Sequence, residues 1–243
     1  TGSKAHNVAL RGRAQRQGLK LNEYGLFQGE TAIPCADEEA IFRRLGLAYI
    51  PPELREDLGE IEAAQRGELP ELVEEGDLKG VLHVHTRASD GSSSLEEMTE
   101  AARALGLGYI GICDHSQIAR YANGLDEKRV AEQHRAIDAL NHRLEGITVL
   151  KGIEVDILVD GALDFPDEVL SRFDFVVASV HSRFQLAEAA MTERMVRAVS
   201  NRYVRILGHP TGRLLLARAP YAVNLPAVIA AAAAKPVAVG LTR

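Results

Sequence analysis

Residues 79–115 read KGVLHVHTRASDGSSSLEEMTEAARALGLGYIGICDH. Two short β-rich runs, 79–85 and 109–115, flank a helical stretch. Ser94-Leu95-Glu96-Glu97 has the form of a capping box, and Leu95, Met98, Ala102 and Leu105 follow at helical spacing. A strand, a helix and a strand in that order form a parallel pair joined by a helical crossover. The pattern continues outward. TVLKGIEVDI (148–157), FDFVVASVH (173–181) and VRILGH (204–209) are further β-rich runs. Between them, residues 127–145 place Val130, Ile137, Leu140 and Leu144 on one stripe, and residues 187–200 do the same with Met191, Met195 and Val199. This alternation predicts an α/β fold, an open parallel sheet or a barrel. No self-similar repeat interrupts it.

The 243 residues allow one or two domains, and 46% apolar with 26% charged residues is ordinary for a globular chain. No apolar run approaches the ~18 residues of a membrane span, and the opening TGSKAHNVALRGR is not a signal peptide. Cys35 and Cys113 lie too far apart in sequence to suggest a disulfide framework, so a reducing cytoplasm is the expected setting. Cys113 reads as core and Cys35 as a loop thiol. A net charge of −6 argues against a uniformly basic nucleic-acid coat but allows local basic patches and metal ions to hold phosphates.

Charge is segmented. Residues 1–22 carry Lys4, Arg11, Arg13, Arg16 and Lys20 with no acid, whereas residues 51–77 carry ten acids against Arg55 and Arg66. With the Pro51-Pro52 break, these shifts predict a basic module at 1–50, an acidic linker at 51–76 and a larger module at 77–243. In the first module a helix is expected over 3–17, ending at Gly18. A short strand or hairpin follows in LKLNEYGLF, and then a helix capped by Asp37 that stops at Gly46. About 50 residues with few large apolar groups are marginal alone.

Five of the eight histidines share one kind of position. His83 and His85 close the first strand of the larger module, His115 the second, His181 the fourth and His209 the fifth, while Glu154 closes the third. The carboxyl ends of parallel strands form one rim, where sites are built. In His-x-His on a strand, alternation turns both rings the same way, so that they grip one ion. Imidazoles gathered with Glu154 and Asp90 are costly to desolvate unpaired, and divalent cations are their ordinary partners. Seven ligands exceed one tetrahedral ion, so at least two metals are implied. His134, on an apolar stripe, and His142, mid-helix, read as packing or surface residues. His6 reads as an exposed residue of the basic segment, with approach to a phosphate as the other reading. No nucleophilic Ser or Cys signature, phosphate-binding loop or dinucleotide fingerprint is present.

H-V-H-T with S-D-G after it, then C-D-H-S, G-I-E-V-D-I, A-S-V-H-S and L-G-H-P-T-G-R resemble, in order and setting, the polymerase-and-histidinol-phosphatase (PHP) domain over residues 77–222. T-G-S-K-A-H-N-V-A-L-R, followed by G-L-K-L-N-E-Y-G-L-F, resembles the thumb of a family X DNA polymerase. Together they are similar to the C-terminal half of a bacterial family X polymerase. The resemblance implies a distorted, TIM-like seven-stranded (β/α) barrel preceded by a small α+β thumb segment. It also implies two to three Zn or Mn ions on His83, His85, Asp90, His115, Glu154, His181 and His209, with Glu154 bridging. His83, His85, Glu154 and His181 are expected to carry catalysis. In the thumb, Asn7 matches a residue that contacts the incoming nucleotide's base, Arg11 one that approaches the template, and Thr1-Gly2-Ser3 the segment near the nucleotide's sugar.

Two departures accompany the resemblance. No Asp-x-Asp pair is present, so no polymerase palm is expected. After the 224–234 helix the family continues to a D-x-H motif that supplies the last two ligands; here the chain reads AAAAKPVAVGLTR, so a C-terminally truncated barrel is expected.

The function these readings imply is metal-dependent 3′–5′ exonuclease or 3′-end-processing activity on gapped or damaged DNA. The backbone would be held by Lys4, Arg11, Arg13 and Arg16. A phosphomonoesterase of the histidinol-phosphatase kind and a catalytically impaired DNA-binding fragment are the alternatives. Arg213 reads either as a phosphate clamp or as a surface arginine, and Asp114 either as a support for His115 or a neighbouring ligand, or as a turn cap.

Overall fold

In a computed structural model, residues 2–214 and 216–240 are described. They form two compact units, Thr1–Val73 and Glu74–Arg243.

The first unit begins with α1 (Lys4–Arg16), whose N-cap Ser3 accepts from His6 N at 3.1 Å. Three short antiparallel strands follow: β1 (Lys20–Asn22), β2 (Gly25–Gln28) and β3 (Thr31–Ile33). The expected hairpin in 19–27 is therefore extended by a third strand. Helix α2 (Glu38–Arg44) starts where Asp37 accepts from Ala40 N at 2.8 Å. The acidic stretch expected as a linker is a correction: it carries helix α3 (Glu60–Arg66), whose Ile61 and Ala64 are buried with Leu10, Ala14, Leu26 and Phe42. Glu62 is exposed but Glu60 is buried beside this apolar stripe, and the acids mask it in the net charge. That added helix supplies core which 50 residues lacked.

His6 is a second correction. It is only 1% exposed, and its Nδ1 lies 2.6 Å from Glu60 Oε1, an acid of the supposed linker. Arg13 is a third. Instead of standing on a free basic face, it donates from Nε to Leu45 O at 2.8 Å and from Nη1 to Gln65 Oε1 at 2.9 Å.

The second unit alternates strands and helices as its sequence predicts. Its elements are β4 (Gly80–Val84), α4 (Leu95–Ala104), β5 (Tyr109–Ile112), α5 (Glu127–Asn141), β6 (Thr148–Asp156), α6 (Asp167–Leu170), β7 (Phe175–Ser179), α7 (Glu188–Val199), β8 (Val204–Leu207), α8 (Leu225–Ala233) and β9 (Ala238–Val239). The capping box at Ser94 forms, with Glu97 N donating to Ser94 Oγ and Ser94 N to Glu97 Oε2. The six strands are parallel and run in the order β4-β5-β6-β7-β8-β9. Against the seven strands of the expected barrel, six are present among the described residues, and β4 and β9 are the edges: a curled, TIM-like half-barrel.

Strand alternation sorts the two faces. Val176 and Ala178 of β7 join Met191, Met195 and Val199 of α7 in the largest core cluster. Phe175 and Val177 turn the other way and pack with Cys113 and Ile206. Helices thus cover one face, and a small apolar plug fills the other. Cys113 is fully buried in this plug, as expected of a core residue, and that burial pushes its thiol well up. Among the described residues no helix is long and apolar enough to cross a membrane.

Candidate metal centre

Glu154 is the hub. It sits within β6, is 1% exposed, and pairs with Val177 of β7 on one side and bridges to His115 on the other. Its Oε1 lies 3.1 Å from His83 Nε2, 3.2 Å from His181 Nε2 and 3.0 Å from His209 Nε2. Its Oε2 lies 3.1 Å from His115 Nδ1 and 3.5 Å from His85 Nε2. Asp90 closes the outer side, with Oδ1 3.2 Å from His85 Nδ1 and Oδ2 3.5 Å from His115 Nε2. All seven residues expected as ligands are therefore gathered, although their strands are separated by up to 126 positions in sequence, from His83 to His209.

Several local features aim these side chains. His83 is at φ 64 and His209 at φ 25, a left-handed region that side chains rarely adopt and that marks functional sites. The β4–β5 register shifts between Val81 and Val84, so the two histidines flanking Val84 leave the regular pleat yet both reach Glu154. Gly208 makes the close approach possible: a Cβ there would meet Ser179 Oγ at 2.2 Å and come within 3.4 Å of His83 Cε1.

Asp114 supports the turn that carries Asp90 rather than His115. Fully buried, it accepts from Thr86 N and Thr86 Oγ1 (both 2.7 Å), Ser89 Oγ (2.5 Å) and Gln133 Nε2 (2.6 Å). These bonds tie down the turn between His85 and Asp90.

The donor set fits divalent cations. Three groups, His83-His85-Glu154, His85-Asp90-His115 and His115-Glu154-His181, each bring one ligand atom per residue within 4.8 Å of the others. Nδ1 of His83, His85, His115 and His181 is buried without a hydrogen-bond partner. Buried ring nitrogens left without a hydrogen-bond partner fit lone pairs facing a shared cation, while His209 Nε2 meets Glu154 Oε1 in hydrogen-bond geometry. Within the cluster the carboxylates and imidazoles act on one another. Burial acts to raise the Glu154 carboxyl, but His181, His209 and His83 outweigh it and hold the group far below the usual carboxylate range. Burial acts to lower His181, but the Asp156 and Glu154 carboxylates lift it to about 9. Burial lowers His115.

Sequence reasoning missed Asp156. It is 4% exposed, and its Oδ1 lies 3.3 Å from His181 Nδ1. Strand alternation held the signal, since Glu154-x-Asp156 on one strand puts both carboxylates on one face. Asp164 was missed as well. It accepts from Ser116 Oγ (2.8 Å), Asp156 N (3.1 Å) and Ile118 N (3.2 Å), joining the residues beside two ligands. It comes from a loop without periodicity. Tyr121 is 72% exposed with its ring 6.1 Å from His115 and 6.3 Å from His181, and partial burial, then the Asp156, Glu154 and Asp90 carboxylates, push the phenol up to about 12.

The other expected residues fall elsewhere. Arg213 is exposed in the loop after His209, its backbone N donating to Thr211 Oγ1. In the first unit Gly2, Ser3, Lys4, Asn7 and Arg11 gather at the start of α1. Gly2, at φ 110, packs on Arg55, and Asn7 Nδ2 donates to Ser3 O at 2.9 Å. Lys4 and Arg11 are exposed, and Arg11 faces Glu23 at 3.9 Å. Thr1 lies outside the described residues.

The family model for the DNA polymerase beta thumb matches residues 1–56, and that for the PHP domain matches residues 82–234. The DNA polymerase/3′-5′ exonuclease PolX of Bacillus subtilis is 42% identical over 94% of this chain, which spans 40% of that protein. A probable phosphatase of Thermoanaerobacter sp. (strain X514) is 32% identical over 55% of this chain and 55% of its own length. Among solved structures, the histidinol phosphate phosphatase of Lactococcus lactis, crystallised with zinc, L-histidinol and phosphate, is 21% identical, covers 68% of this chain and 73% of its own, and has a TM-score of 0.47. The chain thus spans about half or less of the curated relatives it matches.

Proposed function

The chain belongs to the PHP family, joined here to a family X polymerase thumb segment, and from that premise we propose that its larger unit is a metal-dependent phosphoesterase acting as a 3′–5′ exonuclease on DNA. The observation that carries the chemistry is the convergence of five imidazoles on the buried carboxylate of Glu154, with Asp90 against His85 and His115. What favours DNA as the substrate is the thumb segment, with Lys4 and Arg11 exposed on α1 to meet phosphates without reading bases.

His83, His85, Asp90, His115, Glu154, His181 and His209 would hold two or three divalent ions, zinc or manganese. When bound, such ions supply Lewis acidity toward a phosphoryl oxygen and lower the pKa of water. The chain's own residues prepare this. Asp156, beside His181 Nδ1, sets the ring so that Nε2 faces Glu154. Asp114 fixes the turn that presents Asp90. Tyr121 stays protonated at neutral pH on the solvent side of His115 and His181, so its hydroxyl can donate to a phosphate oxygen.

The phosphatase relatives favour a second reading, hydrolysis of a phosphomonoester. A DNA strand labelled at its 5′ end, incubated with the chain and manganese, separates the two. An exonuclease gives a ladder of shortened strands. Removal of a 3′-terminal phosphate without shortening supports the second reading, and an unchanged strand with or without that phosphate overturns both. His83→Ala is expected to abolish whichever activity appears.

A further inference from the structure

Beyond the histidine cluster, the second unit holds a cavity of about 710 Å³ walled by Arg183, Phe184, Gln185, Leu186, Arg218 and Tyr221, among others. Its walls grow out of the site. Arg183 stands two residues past His181, and Arg218 Nε donates to Gly212 O at 2.7 Å, three residues past His209. The cavity walls therefore lie along the chain segments that leave His181 and His209.

Arg218 is set as a flat cationic surface. Its guanidinium carbon lies 4.0 Å from the centroid of Phe184, which in turn stacks on the buried Tyr221 at 6.1 Å and 12°. With Nε committed to Gly212, its two terminal nitrogens have no partner among the described residues. Arg183 is exposed at φ 57, and its guanidinium likewise has no partner among them. Two guanidiniums with unpartnered terminal nitrogens lining one cavity, in a chain of net charge −6, call for an anion. A phosphomonoester brings one phosphate, which the cluster would take. A second anion site beside it suits a substrate with a second phosphate.

Resting on the exonuclease reading, we propose that Arg183 and Arg218 form a subsite for the internucleotide phosphate next to the scissile one. Arg218 contacts the backbone from its Phe184 platform, and Arg183, on the same cavity lining, adds a second guanidinium to the phosphate. This subsite would select a polynucleotide end over a small phosphate ester.

The test is a binding cycle that needs no turnover. Fluorescein-labelled hexathymidylate, and the same strand with one neutral methylphosphonate at the linkage next to the 3′-terminal one, are titrated into the whole chain in chelator and followed by anisotropy. The neutral linkage is expected to weaken wild-type binding about tenfold, R218Q to weaken the ordinary strand by a similar factor, and the two together to cost no more than either alone. R183Q, an exposed change that leaves the core intact, repeats the cycle. Additive losses, no loss, or no binding of the ordinary strand by the wild type would overturn the subsite. A positive cycle without strand shortening in manganese would remove the exonuclease reading and keep the subsite. Shortening without the cycle would remove the subsite alone.

Discussion

Asp156 Oδ1 lies 3.3 Å from His181 Nδ1, while His181 Nε2 lies 3.2 Å from Glu154 Oε1. One ring thus spans two carboxylates, one that would share the metal and one that orients the ring. Asp156→Asn keeps the shape and removes the charge. Metal affinity, read by competition with a chromophoric chelator, is expected to fall roughly 10- to 100-fold with the fold intact. Unchanged affinity would show that Asp156 has no part in setting the ring.

Asp114 gathers four donors in a fully buried pocket. Asp114→Asn replaces one accepting oxygen with an amide that must face donors. Unfolding stability is expected to drop by roughly 2–3 kcal/mol, and amide exchange over residues 86–91 to quicken more than exchange in α7. Equal quickening in both places would count against a local role in holding Asp90.

Gly208 admits no side chain without displacing Ser179 or its neighbours. Gly208→Ala is expected to weaken metal binding as well as lower the melting temperature, because His209 and His83 flank the intrusion. A melting temperature and metal affinity equal to wild type would contradict the close approach.

The first unit gives a pH prediction. Burial pushes the Glu60 carboxyl up, but the contact with His6 and the backbone N–H groups of Asp57 and Leu58 hold it below its ordinary value. A carboxyl lowered on folding stabilises fully above its unfolded pKa of about 4.3, and the contribution is lost as pH falls through the lower folded value. The melting temperature of the wild type is therefore expected to fall below about pH 4 more steeply than that of Glu60→Gln, which starts lower at neutral pH. Parallel curves would remove Glu60 from the acid response.

How much of this was legible in the sequence follows from the range of each signal. The crossover pattern and the histidine positions are local and periodic, so the parallel α/β sheet and the convergence of five histidines with Glu154 could be read from strand ends, while the truncated barrel and the full ligand set with Asp90 came with the family resemblance. The Ser94 capping box formed for the same reason. The role of 51–76 was hidden because composition reports net charge, whereas burial depends on two apolar residues, Ile61 and Ala64, on one side of a short acidic helix. His6 looked exposed because its partner, Glu60, is 54 positions away. Arg13 looked free for the same reason, since Leu45 and Gln65 claim it. Asp156 was within reach of the alternation rule, but Asp164 depends on a loop whose course no periodicity dictates.

The central claim is that the residues around Glu154 cage divalent ions. Metal content per chain, measured by elemental mass spectrometry after expression with manganese and zinc and exhaustive dialysis, tests it most directly. At least two ions per chain are expected in the wild type, because seven ligands exceed one four-coordinate site, with a clear loss in Glu154→Gln. A wild-type chain that is folded yet holds no stoichiometric metal, or a content that the substitution leaves untouched, would contradict it.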